Sequence, residues 1–396
     1  MSSPTMEKTY ARRLAVVVGA VVFVDTLFYA AVVPLLPTLA HQLHLSKFSA
    51  GVLTASYAVG TFIGSLPGGW LTVRIGPQRT VYVGLSLLAV STLAFGWLHD
   101  VVALDTARLI EGIGGACTWA GGLVWVTAGV PPEQRGGAMG GALGAAIAGS
   151  LFGPIIGTIA SGIGRGLAFS GVVVLAVLLI DQARRLPDVH TPSTQRLRDI
   201  GPALAGTGAG MACWLVALPA IDSGVLGVLG SLRLHRLGAT ATAIGGTFLI
   251  SAGVEALLTP VVGRLSDRRG RLAPLRFGLA GTAAALACFT LPDTAAGLAV
   301  LIVMTGAIVA AFWAPAMAML SETAESGGLE QGYAAALMNM AWALGQMAGA
   351  GVGGAMAKAA GDVVPMMAAA GLAIVTLAML TRRRARGLAY ARGPGA

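Results

Sequence analysis

Residues 69–76 read Gly-Trp-Leu-Thr-Val-Arg-Ile-Gly, and residues 263–270 read Gly-Arg-Leu-Ser-Asp-Arg-Arg-Gly. The two stretches share both glycines, a leucine and an arginine at a spacing of 194 residues, and the same offset aligns His41 with His235. An internal repeat that covers half of a chain is typical of a duplicated structural unit. We therefore expect two halves of similar structure.

The composition places this duplicated unit in a membrane. Of the 396 residues, 56% are hydrophobic and 11% are charged, whereas an ordinary soluble protein has about 25% charged residues. Seventeen acidic and 26 basic side chains are too few to cover the surfaces of the two or three soluble domains that this length would otherwise indicate. The composition therefore excludes a water-soluble enzyme.

Apolar runs of about 20 residues, the length that crosses a bilayer, recur along the whole chain. Backbone polar groups cannot be left unpaired in lipid, and alternating barrel strands are absent from the sequence, so these runs are predicted to be helices. The twelve predicted spans are 14–36, 48–71, 80–98, 101–128, 137–161, 166–180, 203–230, 242–262, 273–291, 295–320, 332–357 and 363–380. The predicted fold is an all-α membrane protein of two pseudo-symmetric six-helix bundles.

The spans divide the chain into four parts. Residues 1–181 form the N-terminal bundle and residues 203–381 the C-terminal bundle; residues 182–202, rich in charge, Pro and Ser/Thr, are typical of a linker. Residues 382–396 form a basic tail. With both termini in the cytoplasm, twenty of the 26 lysines and arginines lie on inside segments and five outside. The positive-inside rule therefore predicts this orientation in a cell (inner or plasma) membrane.

The repeated glycine-and-charge loop resembles a motif of the major facilitator superfamily, and the resemblance extends over essentially the whole chain. The first copy matches at Gly69, Leu71, Arg74 and Gly76. The second copy is complete, at Gly263, Leu265, Asp267, Arg268, Gly270 and Arg271. The resemblance implies a loop that holds the cytoplasmic gate. Because Val73 replaces the usual acid in the first copy, we expect the second copy to carry more of this role.

The fifth predicted span carries a sequence similar to the antiporter signature of this superfamily. The matching positions are Gly149, Gly153, Pro154 and Gly157. Glycines four residues apart form a smooth face for close helix contact, and a proline weakens the helix where the halves must bend. The alternative is generic small-residue packing, because glycines recur at the same spacing on the eleventh span without the proline.

Residues 25–37, Asp-Thr-Leu-Phe-Tyr-Ala-Ala-Val-Val-Pro-Leu-Leu-Pro, are similar to the first helix of twelve-helix drug/proton antiporters, and especially of the vesicular monoamine branch. The resemblance implies that Asp25 binds an amine. Asp25 also lies eleven residues from either end of its predicted span. An ionised carboxylate at that depth costs about 2.5–3.5 kcal/mol, which marks a functional residue. The alternative is a water-solvated acid that only caps a kink near the two prolines.

Four more charged residues lie deep inside predicted spans, at least seven residues from either end, and with Asp25 they are the candidates for proton coupling. They are Arg108, Glu111, Asp222 and Glu255. Arg108 and Glu111 belong to a stretch that resembles the superfamily's buried-arginine motif, and they are three residues apart on one helical face. They form either an intrahelical pair that neutralises itself or a coupling switch. Asp222 and Glu255 either take part in coupling or only face a wet cavity.

Aromatic and amide side chains accompany Asp25 in the predicted substrate site. Tyr29 lies one turn after Asp25, and Trp342 lies between Asn339 and Gln346 on one face of the eleventh span. Aromatic faces attract cations, which favours a lipophilic cation as substrate. Packing is the alternative for each ring. Weaker candidates for the same pocket are Tyr57, Trp119, Phe312 and Trp313.

Together these observations predict a proton-coupled antiporter that exports organic cations or lipophilic drugs by alternating access, acting as a monomer in the bilayer. We expect no enzyme activity, cofactor or metal, because the sequence has no Walker loop, catalytic triad or Cys/His cluster. The sequence has no basic domain, so we expect no nucleic-acid binding. Two alternatives remain: an exporter of a neutral or anionic metabolite such as a sugar, amino acid or siderophore, and a non-transporting membrane sensor.

Overall fold

The computed structural model describes residues 4–187, 189, 201, 208–329 and 331–391. The described residues form twelve long helices and no strand. The first six are α1 (Pro4–Gln42), α2 (Lys47–Ile75), α3 (Pro77–Trp97), α4 (Val101–Gly129), α5 (Pro132–Ile163) and α6 (Arg165–Arg184). The second six are α7 (Ala209–Arg236), α8 (Ala241–Arg269), α9 (Leu272–Ala287), α10 (Ala295–Ser326), α11 (331–360) and α12 (Val363–Ala391).

Each of the twelve predicted spans coincides with one of these helices. Among the described residues, ten helices are long and apolar enough to cross a membrane; α9 is shorter, and α11 is interrupted by the π-helical turn Ala348–Val352. A second π-helical turn, Leu226–Gly230, carries α7 on to Arg236, beyond the predicted end of its span at residue 230. A π-helical turn is a single-turn insertion that a helix can absorb without ending.

The ends of the predicted domains are only partly described. Most of the predicted linker, residues 188, 190–200 and 202, lies outside the described residues, as do residues 203–207 at the start of the predicted C-terminal bundle and residues 392–396 of the basic tail. The start of that tail is helical, because α12 continues without a break through residues 382–391. The last helix therefore extends about one third of its length beyond the predicted span.

The two halves have the same internal arrangement. In the first bundle α1 packs on α5, α2 on α4, and α3 on both α4 and α6. In the second bundle α7 packs on α11, α8 on α10, and α9 on both α10 and α12. Every one of these contacts recurs six helices later, so the prediction of two pseudo-symmetric six-helix bundles is confirmed.

The repeat extends to the backbone of the connecting loops. Gly76, after α2, has φ 92° and ψ 156°, and Gly270, after α8, has φ 88° and ψ 151°. Side-chain-bearing residues rarely adopt this positive φ, which explains the glycine at the end of each copy of the motif. Ser46 and Thr240, again 194 residues apart, each cap the following helix through a side-chain oxygen.

The bundles meet through two symmetry-related helix pairs, α2 with α11 and α5 with α8. The junctions α1–α2, α7–α8 and α11–α12 lie together at one end of the molecule, because Lys47, Arg236 and Asp362 are in direct contact there. We call this end the distal face. Since α1 begins and α12 ends at the opposite side, we call that side the terminal face.

The bundles are in close contact at the distal face; toward the terminal face, α2 and α11 stay in contact through Gly69 and Tyr333, whereas α5 and α8 lose such contacts. At the distal face a Cβ added to Gly51 would overlap the carbonyl oxygen of Ala350, and one added to Gly245 would overlap the hydroxyl of Thr158. Near the terminal face, a Cβ on Gly144 of α5 or on Gly263 of α8 would meet nothing within 4 Å. The glycine contacts between α5 and α8 are therefore confined to the part of these helices nearer the distal face.

Candidate functional site

Asp25 lies at the middle of α1 and is completely buried. The Tyr57 hydroxyl of α2 lies 3.1 Å from Oδ1, and the Trp119 indole nitrogen of α4 donates to Oδ2 at 3.0 Å. Helix α4 approaches the carboxylate closely because residue 115 is a glycine. A Cβ there would lie 2.6 Å from the Tyr57 hydroxyl and 2.9 Å from Asp25 Oδ1.

Arg108 and Glu111 form a buried ion pair on α4, with 2.9 Å between Nη1 and Oε2 and 1% of each side chain exposed. The predicted intrahelical pair is therefore present. The guanidinium also lies 4.9 Å from the centre of the Tyr57 ring and 5.7 Å from that of Tyr29. Within the described part of the chain, Arg108 Nε and Glu111 Oε1 have no hydrogen-bond partner. Tyr57 thus connects this ion pair to Asp25.

The second bundle contributes one wall of the same cluster. The Trp342 ring of α11 meets Tyr29 edge-on at 5.5 Å and Tyr57 at 6.3 Å, and the two tyrosine rings are 4.6 Å apart. The Gln346 amide, one turn further along α11, donates to the Tyr29 hydroxyl. Both hydrogen-bond partners of Asp25 come from the first bundle, whereas the aromatic wall is shared between the bundles.

The other predicted site residues lie apart from this cluster. No hydrogen bond, ion pair or ring contact between described residues joins Asn339, Asp222 or Glu255 to it. Asp222 is fully buried in α7, and neither of its oxygens has a partner in the described part of the chain. It follows Ile221, whose backbone packs on Gly349 of α11, so Asp222 is rotated about 100° away from that contact.

The glycines of the predicted antiporter signature pack directly on α1. A Cβ on Gly149 would overlap the Thr26 hydroxyl, and one on Gly153 would lie 2.5 Å from the Ala30 Cβ. The Thr26 hydroxyl in turn donates to the carbonyl of Ala146 at 2.9 Å. This contact brings the α5 backbone against the turn of α1 that follows Asp25.

Helix α11 packs on α7 in the same way. A Cβ on Gly345 would lie 2.7 Å from the Ala220 Cβ, and Gly349 packs on the backbone of Ile221. Close packing is therefore common to the α1–α5 pair and to its counterpart in the second bundle, the α7–α11 pair. What distinguishes α5 is Pro154, whose carbonyl accepts a hydrogen bond from Thr158 at 2.8 Å next to the contact with α8.

The two copies of the glycine-and-charge loop differ in their contacts. In the first copy the Arg74 guanidinium stacks over Trp70, 5.4 Å from the ring centre. In the second copy Arg271 forms a bidentate ion pair with Glu322 of α10, and Arg268 is exposed. The side chain of Asp267 lies outside the described part of the structure. Only the second copy therefore pairs with an acid of a neighbouring helix among the described residues.

The structure also contains a charged cluster that sequence reasoning missed. Asp362 accepts hydrogen bonds from Lys47 at 2.5 Å and from Arg236 on its other oxygen. We call these three residues the distal ion cluster. Burial raises the pKa of Asp362, but the two cationic donors outweigh it and hold the pKa below its usual value. Lys47 and Asp362 are 315 residues apart, so no local pattern indicates that they pair.

Comparison with known proteins agrees with this architecture. The family model of the Major Facilitator Superfamily matches residues 18–218 and, a second time, residues 203–394. The chain belongs to the Major Facilitator Superfamily. The two matches correspond to the two bundles, and the fold and the superfamily predicted from the motifs are therefore confirmed.

Curated relatives match this superfamily member over short segments. The MFS-type transporter ppzB of Metarhizium majus is 32% identical over 120 residues, which are 29% of this chain and 26% of that protein. The uncharacterized MFS-type transporter YcaD of Escherichia coli is 29% identical over 111 residues, which are 28% of this chain and 29% of that protein. The chain thus matches between a quarter and a third of the length of these relatives.

Solved structures of superfamily members match over almost the whole chain. A bacterial homologue of the human lysosomal transporter Spinster, inward-facing and unoccupied, superposes with a TM-score of 0.75 at 15% identity, covering 96% of this chain and 97% of that one. A D-xylose–proton symporter superposes with a TM-score of 0.74 at 19% identity, covering 94% and 97%. At these identities the likeness concerns the fold. The chain is a multi-pass membrane protein with the fold of this superfamily.

Proposed function

We propose that this transporter exports organic cations or lipophilic drugs in exchange for protons. The observation that carries the proposal is Asp25, a buried carboxylate that has no ion-pair partner among the described residues. Tyr57 and Trp119 contact its two oxygens, and the rings of Tyr29 and Trp342 pack around Tyr57. A carboxylate supplies the charge for a cation or a proton, and aromatic faces supply a surface that a lipophilic cation can use in place of water.

One shared cavity explains the exchange. Substrate enters between the bundles from the terminal face, which the positive-inside rule assigns to the cytoplasm of a cell membrane. A cation that reaches Asp25 displaces its proton, the bundles rock, and the distal face opens to release the cation. Protons from outside then neutralise the acid and permit the return. Competition between substrate and proton for one carboxylate couples the two movements.

Arg108 and Glu111 are proposed to couple protonation of Glu111 to release of the substrate cation. While Glu111 is ionised, its ion pair holds the guanidinium over the Tyr57 ring. A proton on Glu111 removes the ionic partner and leaves a free cation beside Asp25, where it would repel a bound substrate cation. Asp222 and Glu255 are the further proposed proton carriers, since both are acids at membrane depth in the second bundle.

The glycine motifs are proposed to guide the movement of the bundles. Because α5 lies directly on the backbone of α1, and α11 on that of α7, each of these two helix pairs moves as one body. Pro154 permits α5 to bend next to its contact with α8. The loop of the second half, which is paired through Arg271 and Glu322, is the stronger candidate for holding the terminal face closed.

One observation favours a second candidate, the export of a neutral or anionic metabolite. Arg108 places a cation within 6 Å of two rings of the same cluster, where a second cation is disfavoured by repulsion. One solved structure of the same fold is described as a D-xylose–proton symporter. In this case the acids would serve proton coupling alone.

The two candidates separate in proteoliposomes that contain a trapped pH dye. We would add tetraphenylphosphonium or a neutral analogue to the wild type, to Asp25→Asn, and to Asp181→Asn, which makes the same change at an exposed acid of α6. Proton release with the cation alone, lost only in Asp25→Asn, supports the cation/proton exchange. Proton movement with neither compound removes that proposal and directs the search to metabolites.

A further inference from the structure

We propose that Asp25 takes up its proton on Oδ1, the oxygen beside Tyr57, and that Trp119 and Tyr57 are positioning residues with different effects on that event. The inference rests on the proposed function, in which Asp25 exchanges a proton. It starts from the two hydrogen bonds that the carboxylate makes, one on each oxygen.

The two hydrogen bonds differ in whether they can reverse. An indole N–H can only donate, so Trp119 keeps Oδ2 as an acceptor in every protonation state. A phenol hydroxyl can donate or accept, so Tyr57 donates to an ionised Asp25 and can accept from a protonated one. At separations of 3.0 Å for Trp119 and 3.1 Å for Tyr57, either bond forms without moving the backbone.

This difference selects the oxygen that binds the proton. A proton on Oδ1 finds the Tyr57 oxygen as its acceptor, while Trp119 continues to donate to the carbonyl-like Oδ2. A proton on Oδ2 would meet the Trp119 N–H, which cannot accept, and would leave a buried donor unpaired. The step is balanced: one proton from the cavity forms the O–H bond at Oδ1, Tyr57 keeps its own hydrogen, and no other bond breaks.

The other polar groups around Asp25 are engaged elsewhere, so Tyr57 and Trp119 determine which of its oxygens binds the proton. The charged groups nearest to Asp25 are Arg108 and Glu111 of α4, which are paired with each other. Tyr29 of α1 is engaged by Gln346 of α11, and α5 presents glycines to this part of α1. On α8, which also packs against α1, Glu255 forms no hydrogen bond or ion pair with a described residue of the cluster.

The two partners therefore predict different mutant behaviour. Trp119→Phe removes a hydrogen bond that is stronger to the ionised carboxylate than to the neutral acid, so the proton binds more easily and the midpoint of protonation moves up by about 0.5–1 pH unit. Tyr57→Phe removes a partner of both forms, so the two losses partly cancel and the midpoint moves less. In both variants the protonated acid loses one hydrogen bond, on its hydroxyl in Tyr57→Phe and on its carbonyl oxygen in Trp119→Phe, and each loss raises the carbonyl stretching frequency.

Infrared difference spectroscopy of the purified protein in nanodiscs tests this directly. The carbonyl band of the protonated acid, identified by its absence in Asp25→Asn, is followed against pH in the wild type, Trp119→Phe and Tyr57→Phe. Trp125→Phe is the matched control, because Trp125 is a fully buried tryptophan of the same helix whose indole nitrogen has no partner among the described residues. It should leave the midpoint unchanged.

An upward shift of the midpoint in Trp119→Phe that exceeds the shift in Tyr57→Phe, with a raised carbonyl frequency in both variants, supports the proposal. Equal midpoint shifts in the two variants, an unchanged carbonyl frequency in Trp119→Phe, or no Asp25 band at any pH overturn it. The proton-release assay stands apart from this test. If the infrared results agree with the proposal but no cation drives proton release, the proposed function is contradicted and the assignment of the proton to Oδ1 still holds.

Discussion

Lys47 of the first bundle and Asp362 of the second are joined by an ion pair of 2.5 Å at the distal face. The second partner of Asp362, Arg236, belongs to the same bundle as the acid. When the bundles separate at this face, Lys47 must release the carboxylate, whereas Arg236 can stay. The distal ion cluster is thus built so that opening breaks one ion pair and leaves no unpaired acid.

Replacing Lys47 by Met should favour opening of the distal face. The pair is partly exposed, with 28% of the Lys47 side chain accessible, so its worth is about 0.5–1 kcal/mol, or roughly a two- to fivefold change in population. Spin labels at Leu98 and Leu291, exposed positions at the distal ends of the two bundles, would report the separation by pulsed resonance. Lys47→Arg keeps the cation and should restore the wild-type distances. A Met variant with unchanged distances would contradict the role of the pair.

Replacing Arg236 by Gln should have the opposite effect. The acid then depends on Lys47 alone, and opening would leave a largely buried carboxylate without a cation. We expect the long-distance population of the same spin-label pair to decrease and transport to slow. If Arg236→Gln and Lys47→Met shift the distances in the same direction, the division of roles between the two cations is wrong.

Acid should weaken the distal ion cluster only at low pH. The pKa of Asp362 lies below its ordinary value, so its stabilising effect is fully present above the ordinary value, about pH 4, and is lost as the pH falls through the depressed one. Distances in the wild type should therefore differ from those in Asp362→Asn at neutral pH and approach them below about pH 4. A difference that vanishes near pH 6 would show that Asp362 is not held in its charged form.

Gly149→Ala should destabilise the first bundle. The added methyl group would overlap the Thr26 hydroxyl and the backbone of α1, so α5 must move away at a cost of about 1–3 kcal/mol. Gly144→Ala on the same helix is the matched control, because a Cβ there meets nothing within 4 Å. Thermal unfolding in detergent compares the two, and equal melting temperatures would remove the close contact as an explanation of the motif.

Glu111→Gln tests the proposed coupling switch. The amide keeps the shape of the acid but cannot titrate, and it leaves the Arg108 guanidinium without its ionic partner. Transport should therefore lose much of its dependence on pH. Full pH-dependent transport by this variant would reduce the pair to a structural role.

The sequence predicts the helices and their pairing well because the responsible signals are local or periodic. The length of each apolar run determines a span, and the 194-residue offset relates the two bundles. Asp25 stands out for a related reason, since a carboxylate at the centre of an apolar run has an evident cost. Of the residues placed beside it, Tyr29, Arg108, Glu111, Trp342 and Gln346 were also predicted.

The partners of Asp25 were harder to predict. Tyr57 and Trp119 lie 32 and 94 residues from Asp25, and the sequence indicates them only as weaker candidates for rings that stack on a cation. A mid-span aromatic residue is equally consistent with packing, stacking and hydrogen bonding, and only the helix arrangement decides. The sequence does not indicate a role for Asp362, because this residue lies between two apolar runs, where charged residues are common.

That both hydrogen-bond partners of Asp25 come from the first bundle bears on how such a protein can diverge. At the position 194 residues after Asp25 the duplicated half has Pro219, so the two copies no longer carry the same chemistry. On the proposed function, the first bundle holds the proton-binding carboxylate and its partners, and the second, through Trp342 and Gln346, forms part of the substrate site. New cargo could then be acquired by changing α11 alone, and directed evolution of this transporter should begin there.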